Sequence, residues 1–149
     1  ENSHRWQALQ RHLEAENAQS VFVDAGVEND LNDMHGEEKN EFRRELGVSS
    51  DGIDDLIKGG YRLLDLISFF TTGEKETRAW TIPRGAKAPD AGAAIHGDFR
   101  DKFIRAQVIQ WDKLLEAGSF AAAREKGWVR TEGKEYVVQD GDVMEFFHS

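Results

Sequence analysis

The apolar residues of this chain change their spacing once, and that change limits what it can fold into. As far as Leu66 they recur at helical intervals of about 3.6 residues, whereas from Ile67 they alternate as in a strand. A helix buries a stripe and a strand buries a face. The switch therefore predicts a mostly helical part over residues 1–66, joined to a sheet-containing part over residues 67–149.

In the second part, LISFFTT sets Ile67 and Phe69 against Ser68 and Phe70, a Gly73-Glu74 turn follows, and ETRAWTI alternates again. Two alternating runs around a short glycine turn predict a hairpin, which Pro83 and Gly85 end. Pro89-Asp90 opens a short helix that runs to His96. Phe103 to Trp111 reads as a strand with Ile104, Ala106 and Val108 on one side. Asp112–Gly118 and Phe120–Lys126 read as short helices closed by Gly118 and Gly127. The remainder reads as a strand, a turn at Gly133, a strand, a tight Asp140-Gly141 turn and a last strand with Met144 and Phe146 facing inward. Hairpin, helix, strand, short helices and terminal hairpin is the order of an α+β β-grasp (ubiquitin-like) sheet with a helix across one face.

In the first part, Trp6, Leu9 and Leu13 lie at helical spacing from the outset. SVFVDAG (Ser20 to Gly26) reads as one short buried strand. Asn29 to Leu46 reads as a helix stopped by Gly47, its carboxylates a solvated face partly neutralised by Lys39, Arg43 and Arg44. Ser49-Ser50-Asp51 caps a helix carrying Ile53, Leu56, Ile57, Leu63 and Leu64. Gly59-Gly60 in its middle predicts close packing against another backbone rather than a phosphate loop, because no strand precedes it. A lone strand between helices is the tail of an α/β unit, and a parallel sheet needs neighbours. Residues 1–66 are thus expected to be the end of a larger domain.

Charge divides as unevenly as period does. The whole chain has a net charge of −9, which argues against wholesale coating of nucleic acid. Residues 1–66 carry 7 basic against 15 acidic side chains. From Lys75 to Arg105, however, seven cations face four anions. Such a basic island suits selective docking on a phosphate-bearing surface. No window approaches the roughly 20 apolar residues of a membrane crossing. With no cysteine, disulfides, thiolate metal sites and thiol nucleophiles are excluded on this chain.

Catalytic motifs are absent from the sequence. Gly133-Lys134 is followed by Glu135, where a P-loop needs Ser or Thr, and Trp128 stands where its first glycine belongs. Neither HExxH nor GxSxG occurs, and the five histidines lack zinc-site spacing. No catalytic residue, metal ligand or bound cofactor is expected on these 149 residues. One constellation stands apart, the stretch Lys87 to Ala106. It places His96 and Asp98 at a helix end, with Lys87 before them and Arg100, Lys102 and Arg105 after. Histidine stacks on bases, Arg and Lys pair with phosphate, and Phe99 and Phe103 add an aromatic edge, the equipment for an exposed RNA end. The alternative is that His96 bonds Asp98 or a backbone carbonyl and merely holds the turn. Trp80 and Trp111, in strands, are expected to be packing residues.

The strings FFTTGEKETRAWTIPRGAKAP, AAIHGDF, FIRAQV and EGKEYVVQDGDVMEF closely resemble the C-terminal TGS domain of YchF-type (Obg-like) P-loop ATPases. The likeness runs back through GIDDLIKGGYRLLDLI to VFVDAGVENDL. It implies a TGS domain at 67–149 behind the end of a nucleotide-binding domain. It also implies a cytoplasmic, ribosome-associated parent that hydrolyses ATP or GTP with Mg²⁺, its P-loop lying outside this chain. Asp24, Ala25 and Gly26 occupy the loop that lies against the nucleotide base in relatives, although relatives often carry Cys or Ser at position 24. This chain also has Lys102 where relatives usually have glycine. The implied partners are the ribosome or its RNA and the upstream nucleotide-binding domain. Two further roles remain open: regulation of the parent's hydrolysis, and a ubiquitin-like protein-interaction module.

Overall fold

In the computed structural model, residues 2–46, 52–73 and 76–149 are described. The expected Gly47 stop, the Ser49-Ser50-Asp51 cap and the Glu74 half of the hairpin turn lie outside them. The chain forms two compact units, Glu1–Leu64 and Asp65–Ser149.

The first unit holds α1 (Asn2–Ala15), α2 (Ala25–Asp30), α3 (Gly36–Glu45) and α4 (Gly52–Leu63). The strand expected at Ser20–Gly26 does not form. Ser20 to Asp24 has no ladder partner, and Ala25-Gly26 instead opens α2. A strand exists only by pairing, and the described residues before Leu66 supply no second one. Side-chain packing on α4 holds the segment instead. A β-carbon on Gly59 would come within 2.8 Å of Val21 Cγ2, and one on Gly52 within 2.8 Å of Val23 Cγ1. The close approach expected of Gly59 is present, but against a side chain, and Gly60 faces open space.

The helix expected over Asn29–Leu46 is broken into α2 and α3. The backbone N–H of Leu31, which is fully buried, closes α2, and Gly36 adopts φ +62°, which a continuous α-helix cannot contain. Arg43, expected on a solvated face, is buried. Its guanidinium donates to Glu28 Oε2 at 3.1 Å, while Glu28 Oε1 accepts the Gly52 N–H at 3.0 Å. One carboxylate thus ties α2, α3 and α4 together.

The second unit holds β1 (Leu66–Thr72), β2 (Thr77–Pro83), α5 (Ala88–Ile95), α6 (Asp98–Asp101), β3 (Phe103–Gln110), α7 (Trp111–Ala117), α8 (Phe120–Glu125), β4 (Arg130–Glu132) and β5 (Asp142–His148). The strands form one sheet in the order β2-β1-β5-β3-β4. β1 and β5 are parallel and the other neighbours antiparallel. With α5 laid across one face, this is a β-grasp fold. The α5 face covers Ile67, Phe69, Ala106 and Met144, and α7 and α8 cover Ile109 and Val143 on the other.

The terminal hairpin expected from the spacing is absent. β5 enters the middle of the sheet, between β1 and β3, because Val143 and Met144 feed the cores on opposite faces and only a central strand is covered on both. β4 sits on the far edge. The residues read as a strand between them make a single bridge, Lys87 to Val137. Met144 and Phe146 do face the α5 core. The Asp140-Gly141 turn is tight, with Gly141 at φ +83°, and is tied to β1 by Asp140 Oδ1 accepting the Ser68 N–H at 2.9 Å. Trp111 does not extend β3. It starts α7, half exposed, with its ring against Gly141.

Candidate nucleic-acid interface

α5 is seated by small residues. Ala88 and Ala91 are fully buried, and a β-carbon at Gly92 would lie 3.0 Å from Phe99 Cβ and 3.4 Å from the Phe146 ring. The helix stops at His96, whose backbone turns extended and whose N–H bonds Gly92 O at 3.1 Å. His96 Nδ1 accepts the Asp98 backbone N–H at 3.3 Å, and His96 O accepts the Phe99 N–H at 3.0 Å. His96 therefore holds the α5–α6 turn, and its ring is still exposed to solvent. The Asp98 carboxylate is not its partner; it faces Lys102 Nζ at 3.4 Å.

The six residues singled out from the sequence are not gathered in one island. Lys87 caps the start of α5, a helix length from His96, and pairs with Glu135 at 2.5 Å. That hydrogen bond, and next the Glu135 charge, hold the Lys87 ammonium above the ordinary lysine range. Arg100 donates to Asp90 at 2.7 Å. Only His96, Asp98, Arg100 and Lys102 share the α5–α6 turn. Arg105 lies on the opposite face of the sheet, because its neighbour Ala106 points into the α5 core. Its guanidinium sits 4.8 Å over the Phe147 ring.

A β-bulge explains two more departures. Phe103 pairs with His148 and Arg105 with Phe147, so two steps along β3 match one along β5 and Ile104 is the extra residue. The inserted residue turns Phe103 inward and Ile104 out. Phe103 is 4% exposed and Ile104 53%, the reverse of the expected alternation. The aromatic edge beside the cations is instead Phe99 and His148, ring centroids 4.6 Å apart, with Phe147 on the other face. Neither Phe147 nor His148 is marked by sequence spacing, since only strand register brings them to Phe103 and Arg105.

In the first unit, Asp24 caps α2. Its Oδ1 accepts the N–H groups of Gly26 at 3.0 Å and Val27 at 3.1 Å. The Gly26 amide is thus engaged by the cap. Among the described residues no cluster of His, Asp or Glu could hold a metal, and no helix is long and apolar enough to cross a membrane.

Residues 66–148 match the YchF-GTPase_C family, described as "Protein of unknown function (DUF933)". The chain belongs to this family. It is 48% identical over 138 residues to the ribosome-binding ATPase YchF of Bacillus subtilis, covering 93% of this chain and 38% of that protein. It is also 48% identical over 126 residues to the ribosome-binding ATPase YchF of Escherichia coli O157:H7, covering 85% of this chain and 35% of that one. The solved structure of the Schizosaccharomyces pombe YchF GTPase superposes with a TM-score of 0.84 at 30% identity, covering 95% of this chain and 38% of the other. A GTP-binding protein of Pyrococcus horikoshii, at 18% identity and a TM-score of 0.66, shares the fold. This YchF-family chain thus spans under two fifths of the length of these curated relatives, and its residues 66–148 are the C-terminal TGS domain of the family.

Proposed function

We propose that this chain is the docking portion of a cytoplasmic, ribosome-associated ATP- or GTP-hydrolysing protein. The nucleotide and its Mg²⁺ belong, in this reading, to the part of the relatives' length that the chain does not span. The carrying observation is the 48% identity, over 93% of the chain, to a relative named for ribosome binding. The exposed cations of the second unit support it. Arg100 and Lys102 are paired only with exposed carboxylates, and such surface pairs, worth about 0–1 kcal/mol, exchange readily for a phosphate.

Co-sedimentation of the 149-residue chain with ribosomes over a salt series tests the reading. Pelleting should fall steeply as salt rises, and the triple variant Arg100→Gln, Lys102→Gln, Arg105→Gln should pellet less at every salt concentration. A chain that fails to pellet at low salt, or a triple variant indistinguishable from the parent, overturns it.

A second reading is favoured by a groove of about 270 Å³ on the α7 face, lined by Phe70, Thr77, Trp111, Leu114, Leu115 and Val143. Its apolar walls suit a protein surface, such as the upstream nucleotide-binding domain, whose hydrolysis the contact would then regulate. Substituting Leu115→Asp in the full-length protein would change its rate of nucleotide hydrolysis without ribosomes under this reading and leave it unchanged under the first.

A further inference from the structure

β2 is one edge of the sheet, with β1 on one side and no strand on the other among the described residues. The register decides which of its backbone groups face outward. Just beyond the two ends of the β1–β2 ladder, Arg84 N–H donates to Asp65 O at 2.8 Å and Gly73 N–H to Glu76 O at 2.9 Å. Hydrogen-bonded pairs recur at every second residue, so between these ends it is Arg78, Trp80 and Ile82 that bond β1. Ser68 has the matching phase, because its N–H and C=O both turn away from β2, to Asp140 and Gly141. Thr77 and Ala79 therefore direct their N–H and C=O groups to the free edge, and both residues are exposed. The opposite edge is different. β4 has three residues and carries Arg130 and Glu132, the short and charged form of a protected edge, whereas β2 pairs along seven residues without a register shift. On the α7 face, Thr77 is one wall of the groove that Phe70, Trp111 and Leu115 also line, with Leu115 72% exposed. Ala79 pairs with Phe70, so only a methyl group stands between that ring and the edge. On the α5 face, Arg78 lies 4.3 Å over the Trp80 ring, whose indole N–H donates to Thr71 Oγ1 at 2.9 Å. Arg78 makes no hydrogen bond or ion pair among the described residues.

We propose that the β2 edge binds an extended segment of a partner protein as an added strand, with a large apolar residue in the α7-face groove and the acidic residue next to it on Arg78. The site has a wall on each face of the sheet, and a single added strand reaches both, because its successive side chains point to opposite faces. Thr77 and Arg78, adjacent on β2, supply one residue to each wall. Main-chain bonds to Thr77 and Ala79 give affinity, and the alternating side chains select the sequence. A second copy of this strand fits less well, since β2 would bring another Arg78 and contains no acid. The inference is independent of ribosome docking, and it gives the groove an extended segment where the second reading above gives it a domain surface.

The test is fluorescence anisotropy of a labelled peptide, Ser-Leu-Glu-Leu-Glu-Leu-Ser, against the full 149-residue chain, with amide hydrogen exchange followed by NMR. Binding should slow exchange at the Thr77 and Ala79 amides and leave the Trp80 amide, already bonded to β1, unchanged. Arg78→Gln should weaken binding by about two- to fivefold, the range of an exposed ion pair. N-methylation of the peptide's leucines, whose N–H groups would face β2, should abolish binding with the protein unaltered, and lysine in place of the glutamates should weaken it. Absence of binding at millimolar peptide, binding that survives N-methylation, or equal binding of the lysine peptide overturns the inference. Protection of the Thr77 and Ala79 amides that grows with protein concentration in the absence of peptide overturns it in favour of a second copy. Ribosome pelleting is not read in this experiment, so the docking reading and this inference fail separately.

Discussion

The fully buried carboxylate of Asp142 accepts the phenolic O–H of Tyr136 at 2.7 Å. The same carboxylate accepts the Gln139 backbone N–H at 2.9 Å and the Gln110 side-chain amide at 2.7 Å. It thereby fastens the irregular segment before β5 to the end of β3, and it directs β5 into the middle of the sheet.

Tyr136→Phe removes one of these donors and leaves a lone pair of a buried carboxylate unsatisfied. It should cost about 1–3 kcal/mol, read as a lowered midpoint of thermal or urea unfolding. Burial, and next the hydrogen bond to Asp142, push the Tyr136 phenol above its ordinary value of 10.0. A group whose folded pKa is raised stabilises the fold fully below its unfolded pKa and loses that stabilisation as pH rises beyond it. The stability advantage of the parent over Tyr136→Phe should therefore be constant at neutral pH and shrink above about pH 10. An advantage unchanged up to pH 11 would show that the phenol is not held neutral by this site.

Gly59 and Val21 form a coupled pair. Alanine at 59 should add about 1 kcal/mol of helix propensity, but its β-carbon would fall 2.8 Å from Val21 Cγ2. Gly59→Ala alone should therefore fail to stabilise the chain. In a Val21→Ala background the same substitution should stabilise it by about 1 kcal/mol. Equal effects in both backgrounds, measured by denaturant unfolding, would refute the contact.

Gly92 sets the distance between α5 and the side chains of Phe99 and Phe146. Gly92→Val would drive a branched side chain into Phe99 and Phe146, overpacking that should cost about 1–3 kcal/mol. Because Phe99 is displaced with it, the His148 ring resonances in an NMR spectrum should shift. A shift confined to residues on α5 would mean that Phe99 does not move.

Periodicity and turn chemistry make much of the second unit legible in the amino-acid sequence. Strict alternation marked β1, β2 and the body of β3, while Gly118 and Gly127, at φ +80° and +69°, closed α7 and α8 as glycine at a helix end predicts. The strand ending β5 was visible as well, but its neighbours were not. Chain proximity favours a hairpin across Asp140-Gly141 with the residues just before that turn, and only the burial of Val143 and Met144 on opposite faces places it between β1 and β3. In the first unit the apolar content of Ser20 to Asp24 suggested a strand, yet strand formation is a property of the pair rather than of the segment.

The candidate interface divides along the same line. His96, Asp98, Arg100 and Lys102 lie within seven consecutive residues around one turn, so their proximity was written into the amino-acid order. Arg105 is set on the far face by its alternation with Ala106, whereas the single inserted residue Ile104 turns Phe103 to the α5 face, and β5 pairing across more than forty positions brings His148 to Phe103 and Phe147 to Arg105. Residue types and local spacing determine which elements form and which chemistries are present, because these depend on neighbours along the chain. Which side chains share a surface depends on strand register and sheet order, contacts between distant residues that only the closed core selects.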